Sequence, residues 1–533
     1  MRILYHARIR TLDPNQPFAS AIAINQGHIV AIGADEEILA LATRGSEKEN
    51  MQGKTIWPGL TDAHIHLEQF ALSLSLINCE TFSRAECIER IAARAQRVPP
   101  GQWIRGHGWN QNMWTEGFGN AGLLDQAAPD NPVYLTAKSL HAGWANSLAL
   151  RLAGITKETP DPQDGKIVRD ERGEPTGILL EGAVKLVENV ITEISIAQLT
   201  NQVEEAQHEL LKLGITGIHD FDSHRCFMAL QKLQEQNRLR MRVIKNLPLE
   251  NLQHAIALGL RTGFGNDFLR IGAIKLFADG ALGPQSAAMF HPYENSERNN
   301  GMLFLDRQQI FNYGKQAAAN GLGLAIHAIG DRANHEAING LQLVREYEQT
   351  HQLPALRHRI EHVQVLHPDD FGRLAQQKII ASMQPIHATS DMATADYYWG
   401  NRTAYAYAWK SLIQKGTVLA FGSDAPVENP NPFWGLHAAV TRQQANEPAQ
   451  SKGWHPEQCL SLQEALEAYT LGPAFASGLE HKQGQLSPGF YADLIVLSRD
   501  PFECPLEEIH NICPCATMIS GEWVWTNGET HNG

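Results

Sequence analysis

At 533 residues the chain is longer than one ordinary domain. A hydrophobic content of 43% and a charged content of 19% are those of a globular protein, and a net charge of −14 argues against general nucleic-acid binding. No apolar run is long enough to span a membrane, the first residues lack a signal-peptide core, and seven scattered cysteines form no disulfide framework, so a reducing cytoplasm is the expected location.

In chain order, residues 1 to about 57 read as short strands. Within residues 21–33, two apolar runs flank an Asn25-Gln26-Gly27 turn. The next signal is Asp62-Ala63-His64-Ile65-His66. Two histidines at i, i+2 on a strand share a face and can bind one ion. Another strand-like run, ending in His219-Asp220, follows at 214–220. Its distance from His64 exceeds one or two βα units, so residues 68–190 are expected to form an insertion or long loops over the mouth of the fold. Helical stretches lie near 196–213, 308–320 and 461–470.

Further short apolar runs each carry or end in a polar residue. Lys275 lies inside the run at 270–277, His327 ends 323–327, His362 ends 359–362, and Asp424 ends 418–424. Such residues at the C-terminal ends of successive strands are the catalytic arrangement of a (β/α)8 barrel. Strand-like runs return at 492–497 and 517–525, the second with a Ser520-Gly521 turn. The expected fold is therefore α/β. A TIM-like barrel spans 58–480, and a small β-sandwich-like domain is built from 1–57 plus 481–533.

These motifs, in this order, resemble the amidohydrolase superfamily of metal-dependent hydrolases. Within it they are similar to the YtcJ-like branch, which includes N-substituted formamide deformylases. The matching stretches also include His141-Ala142-Gly143-Trp144, Lys275-Leu276-Phe277-Ala278-Asp279-Gly280, His327-Ala328-Ile329-Gly330-Asp331, Gln384-Pro385-Ile386-His387 and Gly422-Ser423-Asp424. The resemblance implies that His64 and His66 bind one metal and that Lys275, carboxylated by CO2, bridges to a second. His327 and His362 would bind that second metal, and Asp424 would touch the first metal and the attacking water. Two zinc ions per chain, a carbamate on Lys275 and attack by metal-bound hydroxide on a C–N amide-type bond of a small molecule are the implied cofactors and chemistry. Hydrolysis of an ester or cyclic amide at the same site is an alternative, as is a non-catalytic regulatory protein on a hydrolase scaffold.

His141 and His387 are candidates for substrate contact, and His219 reads as structural. Asp331 and Arg332, just after His327, are expected to orient it. Two stretches depart from the family pattern. Pro284-Gln285-Ser286 stands where an arginine is expected, which favours a neutral substrate, and Lys138-Ser139-Leu140 replaces a run with an aspartate before His141. Aromatic residues at 103–114 and 397–409 read first as packing and second as an apolar substrate pocket. Gly117-Phe118-Gly119-Asn120-Ala121-Gly122 has no preceding strand and reads as a loop, not a dinucleotide fingerprint. A small molecule is the expected partner, with no membrane or nucleic acid. A homodimer is the default expectation, from how commonly soluble proteins form one.

Overall fold

A computed structural model of the chain describes residues 1–192, 194–445 and 452–528. Eight short apolar runs form its centre. They are β1 (Leu60–Ile65), β2 (Ile215–Asp220), β3 (Arg242–Pro248), β4 (Leu269–Phe277), β5 (Leu324–Ala328), β6 (Arg359–His362), β7 (Ile380–Met383) and β8 (Leu419–Phe421). They make one sheet in sequential order, and every neighbouring pair is parallel. Nearly every residue in these strands is buried, as expected when both faces of a parallel sheet are covered.

The sheet curls into a nearly closed barrel. Past the end of β8 the chain turns back onto β1, where Asp424 N–H donates to His64 O at 2.7 Å. Asp62 Oδ1 takes the N–H groups of His64 and Ser423, each at 3.0 Å, and Oδ2 takes the Ser423 hydroxyl. One carboxylate therefore ties the first strand to the segment after the last.

The helices around the barrel follow from local sequence. The helix Ile196–Lys212 starts at Ser195, whose side chain accepts from Gln198 N–H in a capping box. It buries Leu199, Val203, Ala206 and Leu210, a spacing that makes one face. Each buried leucine there contributes about 1.5–3 kcal/mol. The helices Arg307–Ala319 and Asp331–Thr350 pack closely through Gly314 and Gly340. The helix Leu462–Ala468 completes the stretches read from sequence.

Two sheets come from the chain's outer parts. A four-stranded sheet holds Arg2–Tyr5, Ala21–Asn25, His28–Gly33 and Glu47–Asn50. A six-stranded sheet mixes early and late segments, with Thr55–Pro58 antiparallel to Leu494–Leu497. Trp57 in that strand is fully buried between Phe433 and Phe502. The strands Pro514–Ile519 and Glu522–Thr526 turn at Ser520-Gly521 as expected.

Between β1 and the helix Ile196–Lys212, residues 77–181 carry another six-stranded sheet. Its core contains Trp109, Trp114 and Trp144 in edge and stacked contacts. The glycine-rich stretch at 117–122 is a turn leading into the helix Ala121–Ala127, which Asn120 caps. Among the described residues no disulfide joins any two of the cysteines. Among the described residues no helix is long and apolar enough to cross a membrane.

Candidate metal centre and active site

The C-terminal ends of the barrel strands gather the sequence-predicted residues. His64 sits near the end of β1, with its Nδ1 2.7 Å from Glu361 Oε2. Glu361 is itself held by Arg359, whose Nη2 donates to the same oxygen at 2.9 Å. Burial opposes the charge on Glu361, but Arg359 and His64 outweigh it and depress its pKa. Burial, with the Lys275 charge nearby, pulls His64 down to about 4, so His64 is a neutral imidazole with a free Nε2.

His66 lies one residue beyond β1, not within it. The ladder to β2 stops at Ile65, and His66 N–H turns instead to Ala425 O at 2.9 Å. Its Nδ1 is 3.1 Å from Asp222 Oδ1, and the other Asp222 oxygen takes the Glu68 and Gln69 N–H groups in the first turn of the helix Leu67–Ser73. Burial works against a proton on His66, yet Asp222 and Asp424 raise its pKa to about 10.

Asp424 faces both histidines. Its Oδ1 is 3.4 Å from His64 Nε2 and 3.4 Å from His66 Nε2, and its Oδ2 is 3.7 Å from His387 Nε2. Despite burial, the imidazoles hold its carboxyl well below the usual carboxylate range. The residues after it form a turn, and the next helix starts at Pro432, so Asp424 caps no helix.

The His362 ring lies 5.0 Å from that of His64 and 4.4 Å from that of His327. Alternation along β6 would send His362 to the face opposite Glu361. Left-handed backbone at His362 (φ 75) and Val363 (φ 47) breaks the alternation, so both residues reach His64. Asp424 is left-handed too (φ 62). Such strain on residues other than glycine collects at functional sites. His327 Nε2 is 3.0 Å from Gly280 O, which leaves Nδ1 free.

Lys275 is buried in β4, with its Nζ 4.4 Å from the centre of the Phe221 ring. Burial lowers its pKa to about 8, against the pull of Glu361 and Asp424. The ammonium has no hydrogen-bond partner. His64 Nε2, His362 Nδ1, His387 Nε2 and Asp424 Oδ1 are also buried without one. Ligand atoms of His64, His362 and Asp424 all lie within 4.8 Å of one another. Unpaired buried polar atoms are costly. Converging nitrogen and carboxylate donors of this kind fit a divalent cation.

Asp220, Asp222 and Cys226 form a second cluster. It already contains a cation, because Lys245 Nζ binds Asp220 Oδ2 and Asp222 O.

His141 and His387 line the same cavity of about 870 Å³ as His327, His362 and Asp424. His387 comes from the helix Pro385–Trp399. His141 comes from the inserted sheet, with its Nδ1 2.7 Å from Glu181 Oε2. Burial opposes its proton, but Glu181 outweighs burial and raises the pKa. His219 lies outside this group, and its Nδ1 pairs with Arg359 at 2.8 Å.

The residue beside His327 is Asp279, not Asp331. Asp279 Oδ1 is 3.7 Å from His327 Nε2, and its carboxylate takes the Ile329, Gly330 and Ala288 N–H groups. Asp331 instead accepts from Phe290 N–H at 2.9 Å. Of the aromatic residues at 103–114 and 397–409, only Trp109 lines the cavity, whose apolar wall also includes Phe70, Phe82 and Met113. Lys138, the one lysine on that wall among the described residues, is paired with Glu80 at 2.7 Å and Glu428 at 3.1 Å.

Glu361, Asp222 and Glu181 were not singled out by sequence reasoning. The signal for Glu361 was present, since it lies inside the Arg359-Ile360-Glu361-His362 motif. Asp222 and Glu181 carried no local pattern.

The amidohydrolase family profile matches residues 49–525. The putative amidohydrolase YtcJ of Bacillus subtilis (strain 168) is 30% identical over 98% of this chain and 99% of its own length. The N-substituted formamide deformylase of Arthrobacter pascens is 28% identical over 97% of each chain. Among solved structures, an uncharacterized metal-dependent hydrolase from Pyrococcus horikoshii OT3 superposes with a TM-score of 0.77 at 28% identity, covering 95% of this chain and 99% of that one.

Proposed function

The chain belongs to the amidohydrolase family and is a metal-dependent hydrolase, and on that premise we propose that it cleaves a C–N amide bond of an uncharged small molecule, an N-substituted formamide or a related N-acyl amine. The observation that carries this reading is the set of unpartnered buried donor atoms on His64, Lys275, His362, His387 and Asp424, gathered at one end of the barrel. His64, His66 and Asp424 would hold one divalent ion, and His327 and His362 a second. Zinc suits this nitrogen and oxygen donor set. Lys275 would join the two as a carbamate. Its lowered pKa supports this, because a neutral amine adds CO2 and an ammonium does not. The ions, when bound, supply positive charge that polarises a carbonyl and makes water more acidic.

The remaining chemistry belongs to the side chains. Asp424 is an ionised carboxylate within reach of both ion positions, suited to take a proton from the attacking water and return it to the leaving nitrogen. Glu361 and Asp222 fix the rings of His64 and His66 through Nδ1, so that each presents Nε2. His141 and His387 flank the carbonyl position from the cavity wall. Lys138 is already matched by two carboxylates, and Gln285 stands where an arginine was expected. Among the described residues, a free carboxylate on the substrate therefore has no unpaired lysine or arginine to meet along this wall, which favours a neutral molecule.

The test is metal content per chain, intact mass under CO2, and turnover of N-substituted formamides, N-acyl amines, esters and cyclic amides. About two ions, a mass gain of one CO2 and preference for the open-chain amides are expected. Selective turnover of esters or cyclic amides would reject the substrate class. Full metal loading without turnover of any of them would favour a regulatory role.

A further inference from the structure

One buried carboxylate beside the pocket takes no part in the donor cluster. Glu181 ends the strand Pro175–Glu181 with φ 51 and ψ −131, backbone that a residue other than glycine adopts only under constraint. Its N–H donates to His141 O at 2.9 Å, so the two residues face each other across the inserted sheet. Both carboxylate oxygens are committed. Oε2 lies 2.7 Å from His141 Nδ1, and Oε1 accepts from the Ser286 hydroxyl. Ser286 Oγ in turn accepts from Ala281 N–H at 3.0 Å. Gly280 leaves room for this, since a Cβ there would clash with Ser286 Oγ and come within 2.6 Å of Glu181 Oε1.

The chain Ser286–Glu181–His141 therefore runs from the loop after β4 to a ring on the cavity wall. With Nδ1 occupied, only Nε2 of His141 is free. The His141 ring lies 5.6 Å from that of His327, and the row continues through His362 to His64 and His387 beside Asp424. His141 and Asp424 thus stand at opposite ends of the row. A tether between insertion and barrel needs no charge, and burying a carboxylate is costly unless it is paired. The pairing here is with the His141 ring as an imidazolium, which carries Nδ1–H and Nε2–H together.

We propose that Glu181, held by Ser286, is a positioning residue for His141 that fixes its Nδ1–H and aims its Nε2–H at the substrate's carbonyl oxygen from the side opposite Asp424. The inference rests on the hydrolase reading above. The Nε2–H donates a hydrogen bond that strengthens as the oxygen gains charge, and the proton stays on the ring.

The experiment uses the full-length metal-loaded protein, with formanilide as the probe. Proton NMR should show a downfield Nδ1–H resonance that is absent in His141→Gln. The same resonance should be lost in Glu181→Gln and shifted in Ser286→Ala, with metal content unchanged in both. Glu181→Gln should lower kcat by about 10–100-fold with little change in KM, in the range seen for residues that orient a functional imidazole. The double variant should be no slower than His141→Gln alone, because Glu181 acts through that ring. Persistence of the resonance in Glu181→Gln, or additive losses in the double variant, overturns the proposal. If the unaltered protein does not turn over formanilide, the substrate reading fails, and loss or survival of the resonance alone decides the role of Glu181.

Discussion

At the scale of single residues, the site combines a neutral imidazole, His64, and a protonated one, His66, with two carboxyls, Asp424 and Glu361, held below their usual range. Asp424→Asn keeps the shape and removes the proton acceptor. It should retain its ions and lose about 10²–10⁴-fold in kcat, measured alongside metal content. Lys275→Ala should lose the ion pair, and short carboxylic acids should restore part of both metal and activity. Unchanged metal content in that variant would count against a bridging lysine. In the metal-free protein His66 carries a proton up to about pH 10. An incoming ion must displace it, so affinity should rise with pH below that point, by up to about tenfold per unit. Calorimetry in buffers of different ionisation enthalpy should register about one proton released per ion bound at this position. His327, His362 and Asp424 were legible because each ends a short strand-like run, and His64 because it stands two residues before His66. Glu361 and Asp222 were hidden in role, because their partners lie 297 and 156 residues away and no local period links them.

At the scale of elements, most barrel strands were legible because both faces are buried and each reads as a short apolar run, whereas Arg242–Pro248, interrupted by Lys245 and Asn246, was not. The inserted sheet was not. Ala142–Ala145 and Ile77–Asn78 are too short to show a period, and Gly143 in a strand reads as a turn. Helix packing offers a clean test. A Cβ on Gly340 would lie 2.6 Å from Ile310 Cγ2 across two packed helices. Gly340→Ala should destabilise the protein by about 1–3 kcal/mol, an overpacking cost that exceeds the gain in helix propensity. The midpoint of denaturant unfolding measures it, and a variant as stable as the original would show that the helices can move apart freely.

At the scale of the whole molecule, the outer sheet is riveted to the barrel. Arg242 at the start of β3 pairs with Asp493 at 2.8 Å through Nη2, and its guanidinium lies 3.7 Å from the centre of the Tyr491 ring. Both side chains of the pair are almost fully buried. Arg242→Ala would leave Asp493 buried and unpaired, costing about 3–5 kcal/mol. The melting temperature should fall, while metal content at low temperature stays unchanged because Arg242 touches no residue of the site. A variant that loses its ions at low temperature would show that the rivet also shapes the barrel.

That seam has a consequence for biosynthesis. The strand Thr55–Pro58 leaves the ribosome early, but its antiparallel partner Leu494–Leu497 is translated only after every barrel strand has been made. Trp57 therefore waits through most of translation beside an open sheet edge, a template for wrong pairing. A message truncated just after the codon for Asp424 would encode every proposed ligand and still yield a chain whose first hydrophobic edge is never sealed. The order of synthesis thus leaves the outer sheet open until Leu494–Leu497 has been made, long after the last proposed ligand.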